Sequence, residues 1–226
     1  MKKHLVILSG AGMSAESGIS TFRDSNGLWE NHHIEEVATP EGFTKNPSLV
    51  LEFYNARRKQ LFDVKPNKGH QLIAKLEKEY KVSIVTQNVD DLHERAGNSE
   101  VLHLHGELRK VRSTSSPGLI YTWEKDLNLG DYCEMGSQLR PHIVWFGEQV
   151  PLIDKAIEIV IKADVIIVIG TSLQAYPAAG LIDYARTDSK VYYIDPNPSI
   201  QSSKRVEVIK KIASEGVKEF IEKYLP

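Results

Sequence analysis

The stretch that most constrains this chain is Leu5-Val6-Ile7-Leu8-Ser9-Gly10-Ala11-Gly12-Met13-Ser14-Ala15-Glu16-Ser17-Gly18-Ile19. A short apolar run breaks into a turn of small residues, the pattern of a buried parallel strand ending in a phosphate-binding loop. Gly10 and Gly12 permit a tight turn and let backbone amides approach a pyrophosphate without a Cβ in the way. Ala15 takes the place of the third glycine in the dinucleotide fingerprint, a position that tolerates alanine. A dehydrogenase loop continues into a long helix and a second strand ending in Asp or Glu about 20 residues later. Here Gly18, Asp24-Ser25-Asn26 and Gly27 interrupt any such helix, and the next strand-like run begins near Val82. The loop suits a dinucleotide, but not hydride transfer.

At 226 residues, 41% hydrophobic and 26% charged, the chain fits one globular domain, or one domain with a smaller inserted lobe. A formal net charge of -2 gives no reason to expect nucleic acid or an anionic membrane as partner. No stretch approaches the roughly 20 apolar residues that span a bilayer. Leu5 to Leu8 is too short for a signal-peptide core, so a cytoplasmic location is expected. The one cysteine, Cys133, excludes an internal disulfide and fits a reducing compartment.

Beyond the loop, Trp29 to Phe43 shows no period and reads as an irregular connection. Asn46-Pro47 opens a helix to about Phe62, with Leu49, Phe53 and Ala56 on one stripe and Val50, Tyr54, Arg57 and Leu61 on the next. A helix from Asn67 to Tyr80 is followed by a strand, Val82 to Thr86, with Gln87-Asn88-Val89-Asp90 at its carboxyl end. Asp91 to Ala96 is a short helix closed by Gly97, and Val101 to Leu104 a further strand, with His105-Gly106 at its end. Glu107 to Arg140, rich in Ser, Thr, Gly and charge, reads as the inserted lobe. A helix from Pro151 to Lys162, a strand from Val165 to Ile169 and the turn Gly170-Thr171-Ser172 restore the α/β rhythm. A helix from Pro177 to about Arg186, a strand from Val191 to Ile194 ending in Asp195-Pro196-Asn197, and a helix from Glu215 to Tyr224 complete it. The fold class is α/β, a Rossmann-like doubly wound, mostly parallel sheet with a smaller lobe.

Alternation in Val101-Leu102-His103-Leu104-His105 projects both histidines to one strand face, where they serve either as satisfied core groups or as an acid-base site. No further Cys or His cluster accompanies them to suggest a metal. Asn88 and Asp90 suit either an Asx turn capping the next helix or a polar ligand at a strand end.

Taken together, several blocks make the chain resemble the sirtuins, the NAD-dependent protein lysine deacylases. They are Gly10-Ala11-Gly12-Met13-Ser14 through Phe22-Arg23, Thr86-Gln87-Asn88-Val89-Asp90, Leu104-His105-Gly106, Pro141-His142-Ile143-Val144-Trp145-Phe146-Gly147-Glu148 and Gly170-Thr171-Ser172. The resemblance implies a single catalytic domain over 1–226, with an NAD-binding lobe near 1–30, 65–106 and 144–226 and a small lobe near 31–64 and 107–143. It implies NAD as co-substrate and acylated-lysine proteins or peptides as partners, with nicotinamide and O-acyl-ADP-ribose as products. It leaves the oligomeric state open. His105 would be the base that activates a ribose hydroxyl after nicotinamide leaves, and Asn88 would position that ribose. Asp90 would bind the nicotinamide carboxamide, with Gly10, Ala11, Gly12, Ser14, Ile19, Trp29, Gln87 and Val89 around the cofactor. Phe22 and Arg23 would close over it, and Gly170, Thr171, Ser172, Asp195, Pro196, Asn197 and Ala213 would hold the adenosine side.

The acyl-lysine peptide would add as a strand beside Val144, Phe146, Gly147 and Glu148, with Val144 and Phe146 walling the lysine tunnel. Tyr54 and Arg57, three apart on one helix face, match the pair that marks class III sirtuins, which remove succinyl and malonyl groups as well as acetyl. Ala38 matches the small residue that leaves their acyl pocket roomy. The zinc cysteines of most sirtuins are missing: Ser113 and Ser116 stand at the first C-x-x-C spacing, and only Cys133 survives of the second pair, with Ser137 beside it. Serine cannot replace thiolate on zinc, so no zinc is expected and the lobe should rest on its own packing, through Leu119, Ile120, Tyr121 and Trp123. The rival readings are an ADP-ribosyltransferase using the same NAD cleavage, or an idle NAD-binding module.

Overall fold

The computed structural model describes residues 2–20, 28–29, 31–172 and 176–225, and Phe22 and Arg23 lie outside the described residues. In chain order the elements are β1 (His4–Ser9), β2 (Leu28–Trp29), β3 (His32–His33), α1 (Ile34–Val37), α2 (Pro40–Lys45), α3 (Pro47–Asp63) and α4 (Lys68–Leu76). There follow β4 (Lys81–Thr86), α5 (Leu92–Ala96), β5 (Val101–His103), β6 (Gly106–Ser113), β7 (Ile120–Thr122) and β8 (Leu139–Ile143). The chain ends with α6 (Ile153–Val160), β9 (Val165–Ile169), β10 (Lys190–Ile194), β11 (Val206–Ile209) and α7 (Ala213–Tyr224).

A six-stranded sheet in the order β11-β10-β9-β1-β4-β5 carries the fold, and every pairing in it is parallel. β1 is buried along its whole length because successive side chains face opposite helical layers. Leu5, Ile7, Ile84 and Ile167 meet Ile73 of α4 and Val217 and Phe220 of α7. Val6, Leu8, Ile166 and Val168 meet Ala156 and Val160 of α6. This is the doubly wound arrangement, with its strand carboxyl ends on one edge.

Local signals start the helices. Asn46 Oδ1 accepts from Leu49 N at 3.2 Å with Pro47 in the first turn of α3, and Asn67 Oδ1 accepts from Gly69 N at 2.9 Å at the start of α4. α5 closes on Gly97 at φ +105°, a left-handed conformation that favours glycine. Three regions differ from the sequence reading. The stretch after Trp29 is not irregular: it forms α1 and α2, the latter capped by Thr39 through Gly42 N at 2.9 Å. The segment after Pro177 is a 3-10 helix over Ala178–Tyr184, and β11 adds an edge strand whose short polar-flanked run gave no signal. Ala56 is exposed, whereas Arg58, one turn from Tyr54, is buried.

The smaller lobe is ordered by an antiparallel sheet, β7-β6-β8, packed against α3. A register shift between Gly106 and Val111 places Leu108 and Val111 three apart yet both inward, so the sequence shows no clean alternation. Leu51, Val111, Leu127, Cys133 and Leu139 form its core, with Leu119, Tyr121 and Trp123 at the margin, whereas Ile120 faces solvent against expectation. Arg58 Nε donates to Leu108 O at 2.9 Å and its Nη1 to Asn55 Oδ1 at 2.7 Å, while Asn55 Oδ1 accepts from Leu127 N at 2.8 Å. Burial lowers the Arg58 guanidinium to about 10, and these bonds pin α3 to the lobe.

The former zinc positions converge without a metal-ligand set: among the described residues no group of three His, Cys, Asp or Glu could hold an ion. Cys133 Sγ donates to Ser113 Oγ at 3.4 Å, Ser113 and Ser115 hydroxyls lie 3.3 Å apart, and Ser115 Oγ meets Ser137 Oγ at 2.6 Å. Ser116 contributes its backbone N–H, which donates to Ser113 Oγ at 3.2 Å. Elemental analysis of purified protein should find far less than one zinc per chain, and chelators should leave its melting temperature unchanged. Stoichiometric zinc would overturn the hydroxyl closure of the lobe.

Candidate active site

The carboxyl ends of β1, β4, β9 and β10 gather the polar groups that the sequence places at strand ends. The glycine loop is tighter than a ligand cradle requires. Gly10 N donates to Ile169 O at 3.0 Å and Gly12 N to Gly170 O at 2.9 Å, so these two amides are taken up by the end of β9. A Cβ on Gly10 would stand 2.7 Å from Thr171 Cβ, and one on Gly12 would stand 2.7 Å from Gly170 Cα. The glycines are needed because the β1 turn packs directly on the β9 turn. Gly170 at φ +61° completes that contact from the other side. The loop then makes two short 3-10 turns, Ala11–Met13 and Ala15–Ser17, and ends at Gly18. Ser214, next to Ala213 at the start of α7, donates its N–H and hydroxyl to Glu16 at 2.9 and 2.5 Å.

Ser14 is the hub. Its hydroxyl donates to Asp90 Oδ2 at 2.9 Å and accepts from Asn88 Nδ2 at 3.1 Å. Asp90 Oδ1 also accepts from Leu92 N at 3.1 Å, so the Asx-turn reading and the site reading coexist in one carboxylate. Burial pushes its pKa up, against the hydrogen bonds from Leu92 and Ser14. Asn88 N donates to Thr86 Oγ1 at 3.0 Å, and Ser9 Oγ donates to the same oxygen at 2.8 Å. Gln87 Nε2 reaches Thr171 Oγ1 at 3.2 Å, tying the ends of β4 and β9. On the far half, Asp195 is buried and its Oδ1 accepts from Asn197 N at 2.8 Å, beside Pro196. Ser172 O accepts from Ser199 Oγ at 3.1 Å.

The two histidines do not share a strand face, because β5 ends at His103 and His105 lies in the turn before β6. His103 Nδ1 donates to Asn88 O at 2.9 Å and its Nε2 meets Glu94 at 2.7 Å. Burial alone would lower its basicity, but the Glu94 carboxylate outweighs burial and raises it. His105 Nδ1 lies 3.2 Å from Gln87 O, and a carbonyl only accepts, so the hydrogen sits on Nδ1. Burial lowers His105 below the usual imidazole value, against that carbonyl. At neutral pH its Nε2 is an unprotonated lone pair, ready to accept a proton.

Tyr54, Ala38 and Trp145 share one buried cluster, bordered by Ile19, Trp29 and Val89. Trp29 packs edge-on against Phe53 and Tyr54, with centroids 4.9 and 6.1 Å away. Arg57 is half-buried, with its Cζ 4.0 Å over the Phe53 ring and Nη1 donating to Phe53 O at 3.1 Å. Only Ile143 of the Ile143–Glu148 run belongs to a strand; Val144 N donates to His105 O at 2.9 Å and Phe146 N to Ala38 O at 3.0 Å. Gly147 adopts φ +87°, and the Glu148 carboxylate turns inward to Arg112, Arg140 and Trp145 N. Sequence reading missed Trp145, Arg140 and Arg58, which look like surface charge and a strand aromatic until the fold brings them together.

The Sir2 family description matches residues 10–177. An NAD-dependent protein deacylase of Helicobacter pylori (strain ATCC 700392 / 26695) is 66% identical over 194 residues, 86% of this chain and 85% of that protein. An NAD-dependent protein deacylase of Bacteroides thetaiotaomicron is 54% identical over 231 aligned positions, 99% of each chain. A crystal structure of a Sir2 homologue in complex with NAD superposes with a TM-score of 0.86 at 41% identity, covering 98% of this chain and 89% of that one. A Sir2 homologue variant bound to 2′-O-acetyl ADP-ribose aligns with the same score at 40% identity, over 98% of this chain and 91% of its own. With the strand-end polar groups and the His105 turn in place, these likenesses show that the chain belongs to the Sir2 family.

Proposed function

We propose that this NAD-dependent protein deacylase removes succinyl and malonyl groups from lysine as well as acetyl, yielding nicotinamide and O-acyl-ADP-ribose. The observation that carries the acyl preference is the Tyr54–Arg57 face of α3, set beside Ala38 in one cluster. A guanidinium grips a distal carboxylate in a bidentate pair, and a phenol adds a hydrogen bond. Arg57 is already oriented by the Phe53 ring and carbonyl, so little rotamer freedom remains to be lost on binding.

Bound NAD supplies the electrophilic sugar carbon that receives the acyl oxygen. The residues present fit such a co-substrate: polar side chains line four adjacent strand ends, the usual ligand edge of a doubly wound sheet. In this reading Asp90 takes the nicotinamide carboxamide and Asn88 the ribose. Ser14 sets the distance between them. Gly10, Ala11, Gly12, Ile19, Gln87 and Val89 shape the floor, and Gly170 to Ser172, Asp195 to Asn197 and Ala213 take the adenosine side. Trp29 borders it. His105 Nε2 takes the proton from a sugar hydroxyl. Val144, Phe146, Gly147 and Glu148 form the peptide-facing wall, with Glu148 acting by fixing the turn. In this reading an NAD lobe and a small lobe divide near residues 30, 65, 106 and 144, with the proposed site residues drawn from both. Acylated proteins of the cytoplasm are the proposed partners. No helix among the described residues is long and apolar enough to cross a membrane.

His105→Ala should abolish deacylation while NAD still binds, read by product mass spectrometry beside calorimetry. Equal loss of affinity and turnover would overturn the base assignment. In the wild type, the acidic limb of kcat/KM should fall below pH 6.5, because burial lowers His105 and protonation removes the base. An acidic limb centred above pH 7 would contradict it. Arg57→Met should cut kcat/KM for a succinyl-lysine peptide by roughly 10- to 150-fold more than for an acetyl-lysine peptide, the worth of a charged hydrogen bond of about 1.5–3 kcal/mol. Equal losses, or a wild type indifferent to succinyl-lysine, would remove the acyl reading.

A further inference from the structure

Tyr54 is fully buried, and its oxygen accepts a hydrogen bond from Trp145 Nε1 at 2.9 Å. An indole N–H can only donate, so the phenol oxygen is the acceptor and its own hydrogen points elsewhere. Among the described residues the hydrogen bond of this phenol is the one it accepts, and none that it donates accompanies it. A buried donor without an acceptor is costly, and a ligand acceptor relieves the cost. Arg57 lies one helical turn along the same face, and its charge acts on this phenol.

We propose that Trp145 is a specificity-determining positioning residue, whose indole N–H fixes the polarity of the Tyr54 hydroxyl so that the phenol donates to the distal carboxylate of the acyl chain. The inference rests on the acyl reading above and assigns how its phenol is oriented. Trp145 itself cannot turn away. Its backbone N–H donates to Glu148 Oε2 at 2.7 Å, and Arg140 Cζ lies 3.3 Å over its ring. Arg140 is fixed in turn by Glu148 at 2.7 and 3.1 Å and by Ile143 O at 3.0 Å, and Arg112 joins the same carboxylate at 3.1 Å. The Phe43 ring, at 5.3 Å, bounds the indole as well. Glu148 therefore reaches the acyl pocket through Arg140, Trp145 and Tyr54, without touching the ligand.

Burial raises the pKa of Tyr54, so the phenol keeps its hydrogen across the working pH range. An acetyl group ends before it can accept that hydrogen, whereas succinyl and malonyl groups carry oxygens to it. The effect of Trp145 is thus confined to acyl choice.

The test is a double-mutant cycle on succinyl- and acetyl-lysine peptides with NAD, using the wild type, Trp145→Phe, Tyr54→Phe and the double variant, with Arg57→Met alongside. Trp145→Phe keeps an aromatic ring and removes the N–H. It should lower the succinyl-to-acetyl ratio of kcat/KM by roughly 3- to 10-fold, mainly through KM for the succinyl peptide. The double variant should fall no further than Tyr54→Phe alone, because Trp145 acts through that hydroxyl. Equal losses on both peptides, or additive effects in the cycle, overturn the role of Trp145. If Trp145→Phe does not fold, Tyr54→Phe decides: an unchanged ratio there also overturns it. An Arg57→Met variant that does not discriminate overturns the underlying acyl reading instead.

Discussion

The structure depends on one close approach, that of the β1 turn to the β9 turn. Gly10, Gly12 and Gly170 meet with no room for a β-carbon, and the amides of the first two are spent on the β9 end. That contact fixes where Ser14 emerges, and Ser14 fixes the distance between Asn88 and Asp90. The geometry of the strand-end groups is therefore set by backbone packing before any ligand arrives. A ligand site built this way needs little reorganisation on binding.

A second chain of contacts runs from Glu148 to Tyr54, and it shares no residue with the first. Glu148 gathers Arg112, Arg140 and the Trp145 amide, and Trp145 turns that ionic cluster into the orientation of one phenol. The two chains meet at the His105 turn, where His105 Nδ1 reads the Gln87 carbonyl and His105 O accepts from Val144 N. One short turn thus sits between the strand-end groups and the segment after β8.

The parallel strands other than the edge strand β11 were legible because burial demands near-continuous apolar runs, and Val165 to Ile169 can be little else. The caps at Asn46 and Asn67 were legible for the same kind of local reason. The antiparallel strand β6 was hidden because its bulge breaks the two-residue period. Arg58 was hidden because a guanidinium reads as surface until three-dimensional packing supplies carbonyls for it. The packing reason for Gly10 and Gly12 was hidden: composition cannot tell a glycine that admits a ligand from one that admits a neighbouring turn. Tyr54 and Arg57 were placed by helical spacing, whereas the direction of the Tyr54 hydrogen bond required Trp145, ninety-one residues away.

The hydroxyl knot in the small lobe changes how oxidants act on the protein. A lobe closed by four thiolates has several sulfurs within reach of one another, so oxidation can pair them and eject the metal in one event. Here the only thiol in the chain is that of Cys133, and the groups around it are the Ser113, Ser115 and Ser137 hydroxyls, which do not oxidise under the same conditions. No intramolecular disulfide can form, and damage at that sulfur leaves the serine bonds in place. The lobe therefore holds no cysteine pair whose oxidation could draw two of its segments together.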